Sequence, residues 1–197
     1  GGTSGEGCDA DDLSLPGHQS ELVEAILQAG RPTILVVVSG RPYALGQYQG
    51  QSAAIVQAFF PGEEGGRALA GVISGRVNPS GKLPVEVPRH AGAQPHTYLA
   101  APLGQDSHGV SNLDPTPAFS FGHGLSYATF DYTDLHLDRE EVAVGETATA
   151  SVTVRNRSTR TADEVVQLYI HQRHGTSSRP VRELKGFQRI ALDAGEQ

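Results

Sequence analysis

The spacing of apolar positions along this chain changes twice, and each spacing predicts a different kind of structure. Over residues 20–30, Leu22, Val23, Ile26 and Leu27 recur at helical intervals. Glu21 and Glu24 stand toward the positive end of the helix dipole, and Gly30 followed by Pro32 supplies a stop. Residues 33–39 are apolar and β-branched without polar alternation, the pattern of a strand covered on both faces in a parallel sheet, and Gly40 and Pro42 end the run. Residues 53–60 predict another buried strand and Pro61-Gly62 a turn. Residues 63–74 predict a helix with Ala68, Leu69, Val72 and Ile73 on one face and Gly75 at its end. The order helix, strand, helix, strand, helix implies right-handed crossovers and an α/β fold with a mainly parallel sheet flanked by helices. Ligand sites in such sheets lie in the loops beyond the carboxyl ends of the strands.

Between residues 78 and 126 the pattern dissolves into Pro, Gly, His and small polar residues, with only 83–87 predicted as a short strand. Connections this long inside a compact protein are uncommon and tend to be functional or interfacial. From residue 130 onward the period becomes two. Ala148, Ala150, Val152 and Val154 alternate with Thr147, Thr149, Ser151, Thr153 and Arg155, and Val166, Leu168 and Ile170 continue the pattern. With turns at Gly145-Glu146 and residues 156–161, and a further strand at 184–192, this is the signature of an antiparallel β-sandwich. The expected division is an α/β layer at 1–127, incomplete at its N-terminus, and a β-sandwich at 128–197. A complete sandwich needs about seven strands, so truncation at the C-terminus is expected as well.

Composition removes several function classes. The formal net charge is −7 over 197 residues, and no cluster of Lys and Arg stands out, which argues against a nucleic-acid partner. No run of roughly 18 apolar residues exists, so no membrane partner is expected. Cys8 is the one cysteine, which excludes an internal disulfide framework and a thiolate metal cage and fixes no compartment. The glycine-rich start lacks the Lys-Ser/Thr ending of a phosphate loop, and neither Ser39 nor Ser126 has the flanking glycines of a serine-hydrolase elbow.

Four stretches, in order, resemble glycoside hydrolase family 3, which includes β-glucosidases and β-xylosidases. They are Ser4-Gly5-Glu6-Gly7-Cys8-Asp9 with Leu13-Ser14-Leu15-Pro16-Gly17; Phe60-Pro61-Gly62-Glu63-Glu64-Gly65-Gly66-Arg67; Asn78-Pro79-Ser80-Gly81-Lys82-Leu83-Pro84; and Phe121-Gly122-His123-Gly124-Leu125-Ser126-Tyr127. Glu164-Val165-Val166-Gln167-Leu168-Tyr169 and Arg182-Glu183-Leu184-Lys185-Gly186-Phe187 resemble the fibronectin type III-like domain of the same enzymes. The resemblance implies a retaining, exo-acting β-glycosidase that acts on terminal β-linked sugars. Its Asp nucleophile lies on an N-terminal barrel outside this sequence, and Glu6 matches its general acid/base. Substrate and barrel are the implied partners, and no cofactor or metal is implied. The fragment alone is then expected to be inactive. One departure is that Ala10 follows Asp9 where many relatives carry Arg.

Beside that reading stand plainer ones. Asp9, Asp11 and Asp12 read as capping or solvated carboxylates, Glu63 and Glu64 as dipole compensation at a helix start, and Cys8 as a small buried side chain. His123 fits the seam between the two halves or the lining of a sugar cleft, while His171 and His174 lack the spacing of a metal site. A non-catalytic carbohydrate-binding or adhesion protein of the same architecture is the alternative to an enzyme, since fold alone does not assign function.

Overall fold

The computed structural model describes residues 7–93, 97–112 and 114–197. Helix α1 (Gln19–Gln28) leads into strand β1 (Ile34–Val37), a 3-10 turn at Gly46–Tyr48, strand β2 (Ala54–Gln57) and helix α2 (Gly65–Ile73). The two strands pair in parallel, Ile34 opposite Ala54 and Val37 opposite Gln57, and form a sheet of two strands among the described residues. The expected helix between them is only that single 3-10 turn. Pro42, Gly46 and Gly50 interrupt the crossover, and Gly50 adopts a left-handed φ of 83°.

The strands are also less covered than their apolar runs predict. Val37 is buried and Leu35 packs on the core, whereas Ile34 and Val38 are exposed. Likewise Val23 and Leu27 of α1 pack inward while Leu22 is 60% exposed, so the helix stripe is wider than the surface it meets. In α2 the buried positions are Gly65 and Gly71 rather than the expected apolar face, and Ile73 is exposed. Pro61 and Val77 pack so closely on these two glycines that the backbone of α2 itself forms the contact.

The buried centre comprises Val37, Tyr43, Leu45, Tyr48, Val87 and Ala118. Two of these come from the long connection, which is therefore part of the core. The strand expected at 83–87 does not form. Instead, Val87 and Phe119 make an isolated antiparallel bridge, and Leu83 exchanges backbone hydrogen bonds with Gly122 and His123. Pro84 and Pro88 explain the gap, because each lacks the N–H that a continuous ladder needs. A one-turn helix, α3 (Pro102–Gln105), lies farther along this arm.

Strands β3 (Phe130–Leu137) and β4 (Ala150–Asn156) form one antiparallel pair, and β5 (Ala162–Ile170) and β6 (Glu183–Leu192) a second. Each pair carries a register shift, between Thr133 and His136 and between Leu168 and Tyr169, and Asp134 within the first has a positive φ of 55°. Asn156 is fully buried where β4 turns toward β5. Its side-chain amide donates to the carbonyls of Arg160 and Leu192, and its Oδ1 accepts from the Ser158 N–H. Among the described residues no helix is long and apolar enough to cross a membrane, and no group of three or more His, Cys, Asp or Glu could hold a metal ion.

Candidate functional site

At the carboxyl end of the parallel pair, the polypeptide leaving β1 meets the segment that carries the first recognised stretch. Ser39 is buried; its hydroxyl donates to the Arg41 carbonyl at 2.8 Å and accepts from Nε2 of Gln57, the last residue of β2, at 3.1 Å. This fixes the Ser39-Gly40-Arg41 bend, and Arg41 then donates from Nη2 to the carbonyl of Cys8. Farther on, the Ala44 N–H donates to the Leu13 carbonyl at 2.8 Å and the Leu13 N–H to that of Ala91 at 3.1 Å. Residues 8–13 are thereby held across the sheet end at two points. Arg41 Nε and Gln57 Oε1 are buried here without a hydrogen-bond partner among the described residues.

Glu6, the expected acid/base, and Gly5 lie outside the described residues. The adjoining Gly7 has a φ of 68° and open space where a Cβ would stand, the left-handed turn expected of a glycine at this hinge. Cys8 is half-buried and free. Asp9, Asp11 and Asp12 are exposed, and Asp12 accepts from the Ser14 N–H at 2.7 Å, which is a local turn rather than a dyad.

After β2, Phe59 adopts a positive φ of 52°, uncommon for a bulky residue, and Phe60 beyond it is 70% exposed. Glu63 and Glu64 are exposed beside the start of α2, and Glu64, at its cap position, makes no side-chain cap bond. Sequence reasoning passed over Arg41 and Phe60. The signal available was their place at the carboxyl ends of the predicted parallel strands, Arg41 two residues past the run at 33–39 and Phe60 the last residue of the run at 53–60.

A second concave feature lies between the 97–123 arm and strand β5, a cleft of about 820 Å³. Its aromatic wall consists of Tyr98 stacked on Phe121, with ring centroids 4.0 Å apart, and Tyr169 edge-on to both. The arm is docked on the second half: the Leu184 N–H donates to Tyr98 Oη, the Val181 N–H to the Ala100 carbonyl, and Gln167 Nε2 to the Gly122 carbonyl. Burial raises the Tyr169 phenol above its ordinary value, with Tyr98 adding to the shift and Arg182 opposing it.

His123 also lines this cleft, and its ring stacks on Phe119 with centroids 5.3 Å apart. The residue is exposed overall, but partial desolvation of the ring first and the Lys82 ammonium second hold its pKa below the usual imidazole range. His123 thus stands where the first half meets the second, as the seam reading expects. His171 lines the same cleft and donates from Nδ1 to the Val181 carbonyl.

Comparison with known proteins adds two family matches: residues 1–127 match the glycosyl hydrolase family 3 C-terminal domain, and residues 164–197 a fibronectin type III-like domain. The chain is 43% identical over 196 residues to a β-xylosidase of Formosa agariphila, covering 98% of this chain and 27% of that protein. It is 36% identical over 205 residues to a periplasmic β-glucosidase of Salmonella typhimurium, covering all of this chain and 27% of that one. Among solved structures, a mutant β-glucosidase of Listeria innocua in complex with laminaribiose superposes with a TM-score of 0.88 at 33% identity, covering 98% of this chain and 28% of that one. A β-glucosidase of Erythrobacter marinus superposes at 0.86 with 42% identity, covering 95% of this chain and 25% of that one. The chain therefore spans about a quarter of the length of the relatives it matches.

Proposed function

This chain belongs to glycoside hydrolase family 3, and from that premise we propose that the whole protein is a retaining exo-acting β-glycosidase, a β-glucosidase or β-xylosidase, in which Glu6 is the general acid/base. The observation that carries this reading is the loop geometry beside Glu6. A left-handed Gly7 and the Arg41 bond to Cys8 direct this segment to the carboxyl end of the parallel pair, where an α/β sheet presents its ligands. In this reading the α/β layer with its parallel sheet and flanking helices ends near residue 127, and the fibronectin type III-like part begins at 128.

The chemistry is a double displacement. An Asp carboxylate on an N-terminal barrel attacks the anomeric carbon while the Glu6 carboxylic acid gives its proton to the departing glycosidic oxygen. Water then attacks the glycosyl-enzyme ester as the Glu6 carboxylate removes its proton, which returns the Asp and restores the sugar with net retention. The two carboxyl groups stand about 5–5.5 Å apart in such sites, and neither step calls on a metal or organic cofactor. Closure of the barrel over the glycine hinge desolvates Glu6 and raises its pKa into the range an acid catalyst needs at neutral pH. Residues 1–197 by themselves then hydrolyse no glycoside, because the nucleophile lies elsewhere.

The test is Glu6→Ala in the whole protein. Hydrolysis of substrates with basic leaving groups falls on the order of 10²–10⁴-fold, activated aryl glycosides lose far less in the glycosylation step, and azide restores turnover with the latter. An equal loss on both substrate types, with no azide rescue, assigns the acid role to another residue. A whole protein without glycosidase activity leaves only the carbohydrate-binding alternative.

A further inference from the structure

The cleft at the seam has an aromatic wall, an unneutralised cation and a size that the turnover chemistry leaves unused. Its 820 Å³ lies within the roughly 300–1,000 Å³ typical of small-molecule sites. The Tyr98–Phe121–Tyr169 group supplies apolar ring surface that suits the C–H face of a sugar ring, its two hydroxyls being tied to Leu184 and Gln167.

The charges around it are unevenly satisfied. Arg89 is paired with Asp114 and His108 with Asp106, and the buried, partnered Glu86 also lines the cleft. Arg182 lines the cleft, is exposed, and has no carboxylate partner among the described residues. It closes a segment, residues 171–182, that contains Arg173, Arg179, Arg182, His171 and His174 and no acidic residue, in a chain of net charge −7. Glu86 and Asp106 in the lining balance Arg89 and the histidines, so the anion preference rests on Arg182 itself, a guanidinium with free donors beside an apolar wall that can bind a carboxylate through two parallel hydrogen bonds.

We propose that this cleft binds an oligosaccharide bearing a carboxylate, a glycan with a uronic acid unit, whose sugar ring lies on the Tyr98–Phe121–Tyr169 wall and whose carboxylate is held by Arg182. The ligand class rests on the glycosidase reading, whereas the binding itself does not involve Glu6. A binding measurement at the cleft of the whole protein, read through Arg182 rather than through turnover, therefore separates failure of this proposal from failure of that one.

The whole protein, carrying Glu6→Ala to suppress turnover, is titrated calorimetrically with neutral xylotetraose and with xylotriose carrying one glucuronic acid side unit, and binding at the cleft is mapped by chemical-shift changes at Tyr98, Phe121 and Tyr169. The acidic oligosaccharide binds roughly tenfold or more tighter, the preference shrinks in 0.5 M NaCl, and Arg182→Gln removes it while leaving the weak neutral binding in place, as expected for one charge-assisted bond of about 1.5 kcal/mol or more. Tyr98→Leu weakens both ligands; should that variant fail to fold, the Arg182→Gln result decides, because Arg182 is exposed and its loss leaves no buried group unpaired. Equal affinity for the two oligosaccharides, an acidic preference that survives Arg182→Gln, or no binding of either overturns the proposal.

Discussion

At the scale of single residues, the Phe121-Gly122-His123-Gly124 stretch shows how four neighbours can each have a separate physical reason. Phe121 stacks on Tyr98 and His123 on Phe119. Gly122 has a φ of 78° and leaves no room for a Cβ against Gln167 and Tyr169, while Gly124 faces the Gly81 backbone at the same close range. The stretch works as a junction because glycine at two positions lets three segments converge. His123 also gives the seam a pH response. Its native pKa is depressed, chiefly by partial desolvation of an otherwise exposed residue and then by Lys82, so the unfolded chain binds the proton somewhat more readily and the effect is small. Stability from the neutral imidazole is present above the unfolded value of about 6.5 and is lost as pH falls from there through the lowered native value. Urea midpoints at pH 7.5 and 5.5 should show a larger acid-side loss in the wild type than in His123→Gln. Equal losses would mean that the ring is as well solvated folded as unfolded.

Elements were legible in the sequence where a local pattern determined them. The helical spacing of Leu22, Val23, Ile26 and Leu27 located α1 to within two residues, and the two apolar runs located β1 and β2, which pair in parallel as expected. Period-two alternation found β4 and β5, and the further strand expected at 184–192 is β6. What stayed hidden depended on distant partners. Prolines at 84 and 88 reduce a predicted strand to an isolated bridge, and the inward side of α2 is set by two glycines that no apolar pattern reveals. The loop at the carboxyl ends of β1 and β2 was legible as a place, while Arg41, which anchors it, was not, because its acceptor lies 33 residues away in sequence. The two adjoining glycines of α2 offer a test. Open space surrounds a Cβ at Gly66, whereas at Gly65 it meets the Pro61 ring at 2.7 Å. Gly66→Ala should stabilise the protein by about 0.5 kcal/mol through helix propensity. Gly65→Ala should destabilise it by roughly 1–3 kcal/mol through overpacking, and urea unfolding of both variants reads the sign of each change.

For the molecule as a whole, the two halves are joined by polar contacts arranged around a small number of buried groups. On the first half's side of the seam, Asn78 Nδ2 donates to Ser126 Oγ and Asn78 Oδ1 accepts from the Tyr127 N–H, which fixes the end of the long connection before the chain crosses. Tyr127 Oη donates to the Val72 carbonyl, and Arg160 donates to the Gly75 carbonyl while lying over the Tyr127 ring. At the centre of the seam, Lys82 from the long connection reaches Glu164 of β5 at 3.1 Å, and Tyr132 of β3 donates to the same carboxylate at 3.0 Å. The side chains of Lys82 and Glu164 are 17% and 8% exposed, so solvent screening is weak and the pair carries both a desolvation cost and a strong mutual attraction. Removing one member should therefore be worse than neutralising both. Lys82→Met strands a buried carboxylate and should cost roughly 3 kcal/mol, whereas Lys82→Met with Glu164→Gln keeps an acceptor for Tyr132 and should recover at least 1 kcal/mol of that loss. Denaturant unfolding of the single and double variants closes the cycle. Additive effects, or a pair whose contribution vanishes in 1 M NaCl, would show that the ammonium and carboxylate are solvated and that the seam is held by its backbone-directed bonds alone.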